Sequence, residues 1–389
     1  MKLKKMYINQ NNPRTLVFSL LPLKKTGGGE SYTFNCANSI STSGIDCDLV
    51  APVEGNFIRI KDNSRFESLF EIKRFIGRQS SFSNFHEKYR DILSNIPNYK
   101  YIWIHQYLAS SLVFDLLVLT HNKQIILFTN HGFEENYHDF WIRYIKLPNH
   151  FFLEVSQYSA RRTKKYTSNV SYVYGGAWKS KLAKLSTTSL EKKKQFVCVG
   201  RLLPHKGFEV AIDALSKDDT LVIIGPDSED DSYKKFLQMK AKGKNVHFTG
   251  EILLTDKDKI ISESVALIAN SSSVTYHQRT FEQSELLGLV VIESILNNTL
   301  PITSSQPALK EIMTVLKLNE LVYTERDFKS LKSKMLFIHS LPDAKYQLLL
   351  DKAKEIIMEQ FLWDNYWLSV KDIINHKNTL HEAEAYEKK

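Results

Sequence analysis

The sequence predicts an α/β protein built from two doubly wound domains. Three observations carry that expectation. Short β-branched apolar runs alternate with amphipathic stretches along most of the chain. The alternation restarts near residue 195, after Gly175-Gly176 and a polar, lysine-rich stretch that reads as a linker. A chain of 389 residues suits two hydrophobic cores of ordinary size better than one. Strands alternating with helices favour parallel sheets covered on both faces.

The first domain opens with TLVFSLLP (15–22), a buried strand. A turn, Thr26-Gly27-Gly28-Gly29-Glu30, leads into the helix SYTFNCANSI. CDLVAPV is the next strand. Residues 62–98 read as amphipathic helix, with Phe66, Leu69, Phe70, Ile72 and Phe75 on the apolar side. YIWIHQ (101–106) and QIILFT (124–129) are strands with the helix LASSLVFDLLVL between them. FFLEV (151–155) and VSYVY (170–174) close the domain. The second domain alternates strand and helix through strands at 196–200, 221–225, 246–249, 265–269 and 301–304. FKSLKSKMLFIHSL, the run from Ala344 to Gln360, and LWDNYWLSVKDII are late helices, with a frayed tail, HKNTLHEAEAYEKK. The expected boundaries are 1–187 and 188–360.

Composition narrows the class. With 43% hydrophobic and 24% charged residues the chain is globular, neither disordered nor membranous. The start, MKLKKMYINQNNPR, is charged without an apolar core, unlike a secretory signal. The longest apolar stretch is broken by His105, Gln106 and Asp115, which favours strand plus helix over a membrane span. Cys36, Cys47 and Cys198 show neither metal-ligand spacing nor a disulfide framework, as expected for a reduced, cytoplasmic setting. The net charge is +9, with clusters at Lys2–Lys5, Lys24-Lys25, Arg161-Arg162 with Lys164-Lys165, and Lys179, Lys181 and Lys184. An anionic substrate or an anionic membrane surface would use such charge. No nucleic-acid-binding motif accompanies it.

Two motifs carry chemistry. In GRLLPHKG (200–207), Arg201 follows a strand end and Lys206-Gly207 opens an amphipathic helix, FEVAIDAL. Ligands of open α/β sheets bind outside the carboxyl ends of strands. Two cations there suit a diphosphate, with Arg gripping oxygens bidentately and Lys acting as a point charge. In ELLGLVVIE, Glu285 and Glu293 are separated by seven residues. Gly288 marks the entry to the helix LVVIESIL, whose first N–H groups favour anions. Glu293, on an otherwise apolar helix, can accept two hydroxyl hydrogens, as from a ribose. Glu285, just before the helix, can accept hydroxyls of a sugar. Asp227, Asp230 and Asp231 form a loop cluster that reads as solvated.

With these motifs in this order, the C-terminal half resembles the retaining glycosyltransferases of family 4 (glycosyl transferases group 1). LVIIGPDS (221–228) and NVHFTGEI (245–252) also fit the family order. The resemblance implies the GT-B fold, two Rossmann-like domains facing a deep interdomain cleft, with the last helix, about 361–389, crossing back onto the first domain. It implies an acceptor-binding first domain and a nucleotide-sugar-binding second domain. Arg201 and Lys206 would bind the diphosphate, Glu285 the transferred sugar, and Glu293 the ribose. The backbone at Gly288, Leu289 and Val290 would meet phosphate or sugar oxygens. His131, in FTNHGFE, matches a histidine that contacts the donor sugar; His105 ends YIWIH, where the family often has another. Gly28 and Gly29 correspond to a glycine loop facing the cleft, or form a plain strand–helix turn. Three departures stand out: Leu287 replaces an aromatic, Asn298 replaces a glycine, and SSSVTYHQRTFEQS (271–284) is longer than usual. That extra loop either shapes the sugar pocket or is a solvated insertion.

The reaction so implied is a hexosyltransferase-like transfer (EC 2.4) from a nucleotide-diphosphate sugar to a hydroxyl of a glycan or lipid-linked acceptor. It would serve surface polysaccharide or glycoconjugate synthesis, at the cytoplasm or the inner membrane face. No metal or other cofactor is expected. The rivals are a nucleotide-sugar epimerase or phosphorylase of the same fold, and an inactive accessory partner of another transferase. The accessory reading expects lost donor ligands, whereas Arg201, Lys206, Glu285 and Glu293 are all present.

Overall fold

The structure is a computed structural model that describes residues 14–19, 27–53, 56–60, 96–105, 124–132, 149–183, 192–228, 231–281 and 283–387. The chain divides into two compact units. Unit 1 comprises Met1–Val155, Ala160–Val173 and Asp364–Lys389; unit 2 comprises Ser156–Ser159 and Tyr174–Trp363. The described start of the stretch read from sequence as linker, residues 175–183, thus groups with unit 2.

Unit 1 contains β1 (Thr15–Ser19), α1 (Gly28–Thr42), β2 (Cys47–Val53), β3 (Asn56–Ile60), β4 (Tyr101–His105), β5 (Ile125–Thr129) and β6 (His150–Glu154). Helix α2 (Gln157–Thr163) leads to β7 (Val170–Tyr172). The sheet order is β3-β2-β1-β4-β5-β6-β7. All pairs are parallel except β2–β3. The antiparallel edge strand β3 is absent from the sequence reading. The strands β1, β4 and β6 are buried throughout, as expected of parallel strands covered on both faces. The segment 61–95 and the helix expected at 108–119 lie outside the described residues.

Unit 2 runs through α3 (Lys179–Ala183), β8 (Lys193–Val199), α4 (Phe208–Ala214), β9 (Thr220–Ile224), α5 (Ser232–Lys240), β10 (Val246–Gly250), α6 (Leu254–Glu263) and β11 (Ser264–Ala269). It continues with α7 (Leu289–Leu296), β12 (Leu300–Ser304), α8 (Pro307–Val315), β13 (Val322–Tyr323), α9 (Phe328–Ser340) and α10 (Asp343–Gln360). Its sheet has six strands in the order β10-β9-β8-β11-β12-β13, parallel throughout. This is the doubly wound α/β architecture expected from the alternating pattern. In each sheet the order reverses once, between β1 and β4 and between β8 and β11. Crevices at such switch points are where open α/β sheets bind ligands.

The last helix, α11 (Trp363–Glu387), places Tyr366 and Trp367 in the core of unit 1. Tyr366 Oη lies 2.8 Å from Tyr32 Oη, and the Trp367 ring lies 5.9 Å from Trp103. The tail expected to fray is helical to Glu387. A run of good helix formers, His381 to Glu387, continues the turn without a glycine or proline stop. Among the described residues no helix is long and apolar enough to cross a membrane.

Candidate functional site

The cationic motif sits at the switch point of unit 2. β8 ends at Val199, and Gly200 N–H donates to Ile224 O at 2.9 Å. The next strand must come close here: a Cβ on Gly225 would lie 2.0 Å from Gly200 O, so only glycine fits. Arg201 leaves this turn exposed, with no ion pair or side-chain hydrogen bond among the described residues. Pro204–Lys206 form one 3-10 turn, which ends by directing Lys206 inward. Ser272 N–H donates to His205 O at 2.9 Å, tying this turn to the segment after β11.

Lys206 Nζ meets Glu285 Oε2 at 2.9 Å, joining the two sequence motifs. Ser271 Oγ lies 3.3 Å from the same carboxylate oxygen and 3.4 Å from Lys206 Nζ. Gln306, the N-cap of α8, donates through Nε2 to Glu285 O at 3.0 Å and fixes the backbone there. Burial pushes the Glu285 carboxyl up. The charge and hydrogen bond of Lys206, with the Leu286 N–H, outweigh it and hold the group below its usual value. His205 is neutral: burial first, then Lys206, takes its imidazole down to about 3. The Lys206 and Glu285 side chains remain 24% and 20% exposed, so both can exchange part of this pairing for a ligand.

Glu293 does not join that pair. It lies on α7, where Lys257 Nζ of α6 donates to its Oε2 at 2.9 Å. Asn297 Nδ2 donates to Glu293 O at 2.8 Å and to Asp258 Oδ1 at 3.2 Å, and Lys181 pairs with Asp258 at 3.2 Å. Gly288 caps α7 in the left-handed region, φ +86°, where a Cβ would meet Leu309 Cδ2 at 2.7 Å. The N–H groups of Leu289 and Val290 follow it with no preceding turn to bond, an arrangement suited to an anion. Beside the ends of β9 and β10 lies a cavity of about 290 Å³, lined by Leu202, Gly225, Asp227, Gln238, Thr249 and Gly250 among others. Asp227 pairs with Lys234.

The departures from the family pattern find physical reasons. Leu287 is 5% exposed and fills core volume as an aromatic would. Asn298 follows the C-cap of α7 at φ +56°, a position that favours glycine and next asparagine. The described residues of the 271–284 segment are held by specific contacts. Val274 bridges Thr280, Gln278 turns the chain at φ +60°, and Tyr276 stacks on Phe236 of α5 at 4.6 Å. Glu325 accepts from Ser272 Oγ at 3.0 Å and Ser273 N at 2.6 Å. Phe281 lies 4.8 Å from His205, so the segment is packed against the cationic loop; its tip, His277 to Thr280, is exposed.

The other candidates belong to unit 1, at its own switch point. Gly28 and Gly29 form the first turn of α1, and Gly27 is its extended N-cap at φ −98°. The expected glycine loop is therefore the helix start, and no glycine of the three uses positive φ. A Cβ on Gly28 would meet nothing within 4 Å, whereas Gly29 O accepts from Thr33 Oγ1 at 2.9 Å. Thr33 Oγ1 lies 3.5 Å from His131 Nε2, which is itself 2.9 Å from His105 Nδ1. Burial lowers the His131 imidazole to about 3 and depresses His105 as well, so both rings are neutral. Nearby, the Glu154 carboxyl is raised to about 7 by burial, against a 2.7 Å hydrogen bond from Thr163.

Sequence reasoning missed Lys257, Ser271, Gln306 and Glu154. Lys257 sits in a run of alternating charges on α6 and carries no local signal. Ser271 stands at a strand end, where the motif logic that found Arg201 applied equally.

Residues 182–361 match the family model described as Glycosyl transferases group 1. No curated protein sequence matches the chain. Among solved structures, a glycosyltransferase from Rickettsia africae superposes with a TM-score of 0.71 at 14% identity, covering 94% of this chain and 99% of that one. Sucrose-phosphate synthase from Thermosynechococcus elongatus gives 0.67 at 16% identity, covering 97% and 100%. WaaG, a glycosyltransferase involved in lipopolysaccharide biosynthesis, gives 0.57 at 11% identity, covering 93% and 99%. At such identities the superpositions speak for the fold alone. Residues 182–361 are thus similar to the Glycosyl transferases group 1 family, and the chain has the two-domain α/β fold of the GT-B glycosyltransferases.

Proposed function

We propose that the protein is a retaining, metal-independent transferase that moves a sugar from a nucleotide-diphosphate donor to a hydroxyl of a glycan or lipid-linked acceptor. The observation that carries this reading is the partly exposed Lys206–Glu285 pair beside exposed Arg201. Two cations at a strand-end crevice suit a diphosphate, and a carboxylate within reach of both the lysine and a serine suits sugar hydroxyls.

In this reading charge builds on the departing diphosphate. Arg201, Lys206 and the N–H groups of Leu289 and Val290 stabilise it, the work a divalent ion does elsewhere. Glu293, held by Lys257, accepts the ribose hydroxyls, and the cavity beside Gly225 and Thr249 takes the base. Glu285 orients the sugar. The leaving phosphate oxygen takes the proton of the attacking hydroxyl, so no separate base is required. His131, with the start of α1 at Gly28 and Gly29, contributes to donor-sugar recognition. The lipopolysaccharide role of WaaG favours a lipid-linked acceptor. The exposed basic end of α2, Arg161 with Lys164 and Lys165, suits an anionic membrane surface on the cytoplasmic side.

The test is release of nucleoside diphosphate from a panel of nucleotide sugars with glycan and glycolipid acceptors, with and without EDTA. Transfer that survives EDTA and gives a product of unchanged anomeric configuration supports the reading. Inverted product, or activity abolished by EDTA and restored by a divalent ion, contradicts it.

A further inference from the structure

Within unit 2, Lys257 and Glu293 meet from two neighbouring helices. Lys257 lies in the first turn of α6 and Glu293 in the second turn of α7. Lys257 Nζ donates to Glu293 Oε2 at 2.9 Å. Neighbouring groups hold this geometry. Asn297, the C-cap of α7, donates through Nδ2 to Glu293 O at 2.8 Å and to Asp258 Oδ1 at 3.2 Å. Lys181 of α3 pairs with Asp258 Oδ2 at 3.2 Å. The two helices are thus cross-linked at the residue next to Lys257, which keeps the ion pair in register.

The pair uses only part of its hydrogen-bonding capacity. An ammonium carries three N–H donors, and a carboxylate accepts at both oxygens. Among the described residues the Lys257 ammonium makes this one bond, and Glu293 Oε1 makes none. Both side chains reach solvent, Lys257 at 15% and Glu293 at 30% exposure. A held, free acceptor therefore stands beside held, free donors. A vicinal diol is the complement of that arrangement. One hydroxyl donates its proton to Oε1, and the neighbouring oxygen accepts an N–H from Lys257. Neither contact requires the ion pair to break, so both charges stay compensated while the ligand binds.

The elements that carry the pair are those on either side of a ribose. α6 follows β10, whose end at Thr249 and Gly250 lines the cavity assigned above to the base. α7 starts after Gly288, and its first N–H groups suit a phosphate. The ion pair joins the helix of the base side to the helix of the phosphate side.

We propose that Lys257 is the second half of a ribose clamp: Glu293 Oε1 takes a proton from one hydroxyl of the 2′,3′-diol, and Lys257 donates to the oxygen of the other. The clamp selects ribonucleotide over deoxyribonucleotide donors, and Lys257 is a specificity-determining residue. This refines the ribose role of Glu293 given above and rests on it.

The test is calorimetric titration of the full chain with UDP, GDP and ADP, and with the 2′-deoxy and 3′-deoxy analogues of whichever binds. Wild type should bind the ribonucleotide about tenfold more tightly than either analogue, the size expected of one hydrogen bond to a charged group. Lys257→Met keeps the length of the side chain and removes its donors. It should weaken the ribonucleotide about tenfold and erase discrimination against one analogue while discrimination against the other persists. Lys257→Arg, which keeps the charge and the donors, should restore most of the loss. Equal weakening of the ribonucleotide and both analogues in Lys257→Met would make the lysine a mere support of the fold and overturn the proposal. A wild type that binds all three alike overturns it with no variant at all, and Lys257→Ala replaces Lys257→Met should that protein fail to fold. Lys206→Ala separates the clamp from the donor-site reading. Nucleotide binding that Lys206→Ala weakens, with discrimination unmoved by Lys257→Met, keeps the donor site and removes the clamp. No binding of any nucleoside diphosphate to wild type removes both.

Discussion

The two units place polar clusters at corresponding points of their sheets, yet build them from opposite materials. At the β8/β11 switch of unit 2 the groups are charged, paired and partly exposed: Lys206 with Glu285, Lys257 with Glu293, and Arg201 outward. At the β1/β4 switch of unit 1 they are neutral: His105, Tyr32 and Tyr366 lie in the core, His131 is half-buried, and Glu154 is raised to about 7. Ion pairs near the surface are individually weak, so a charged ligand can replace them at modest cost. Buried neutral groups have one satisfied arrangement and hold geometry. Unit 2 thus offers charges that a ligand could take over, and unit 1 holds a fixed, neutral cluster.

The sharpest break of that comparison is Lys206→Ala. It removes the proposed phosphate ligand and leaves Glu285 without its cation, so turnover should fall about 100- to 1,000-fold, a range typical of losing one charge-stabilising donor. Steady-state kinetics on a protein with an unchanged circular dichroism spectrum would measure it; Arg201→Ala should act in the same direction. Turnover like wild type in both would remove the cationic half of the account.

Gly288→Ala probes the backbone under the charges. At φ +86°, with Leu309 Cδ2 in the way, alanine should cost about 1–2 kcal/mol of stability. Denaturant unfolding would show it; a cost near zero would mean that α7 can start differently. Glu293→Gln should be milder, weakening donor affinity about tenfold while kcat changes little. Equal loss in both parameters would assign Glu293 to the transition state instead of the ribose.

The smallest effect separates the units by pH. Burial raises the folded-state Glu154 carboxyl to about 7, above its ordinary value of 4.5. Such a group's stabilising contribution is complete below the unfolded value and is lost as pH rises through about 7. The unfolding midpoint of unit 1 should therefore fall across that window and level off above it, and Glu154→Gln should flatten the dependence. A midpoint that rises over the same window would reverse the assignment.

Unit 2 was legible in sequence because its charged residues stand in compact motifs. GRLLPHKG and ELLGLVVIE are short segments whose residue types, order and strand–helix context carry the chemistry locally. The structure joins them through one ion pair, Lys206 to Glu285. Unit 1 was legible as strands, while its site residues His131, Gly28 and Gly29 were named through the family resemblance and not from a local motif. Tyr32 and Tyr366 come from two helices, His105 and Glu154 from two strands, and His131 from the segment after β5, so only the tertiary fold brings them together. Asn298 shows the middle case: it broke a pattern in sequence, yet its positive φ reveals the same backbone demand met by a second-best residue. Lys257 and Gln306 could not be read at all, since their roles are to hold Glu293 and the Glu285 backbone from other helices.

The most direct measurement is calorimetric titration of the protein with UDP-, GDP-, ADP- and TDP-sugars in the presence and absence of EDTA, repeated with Lys206→Ala and Glu293→Gln. The account predicts that one nucleotide class binds, that EDTA leaves its affinity unchanged, and that both substitutions weaken it. Binding that ignores both substitutions would contradict the site, and no binding by any of the four donors would contradict its use as a donor site.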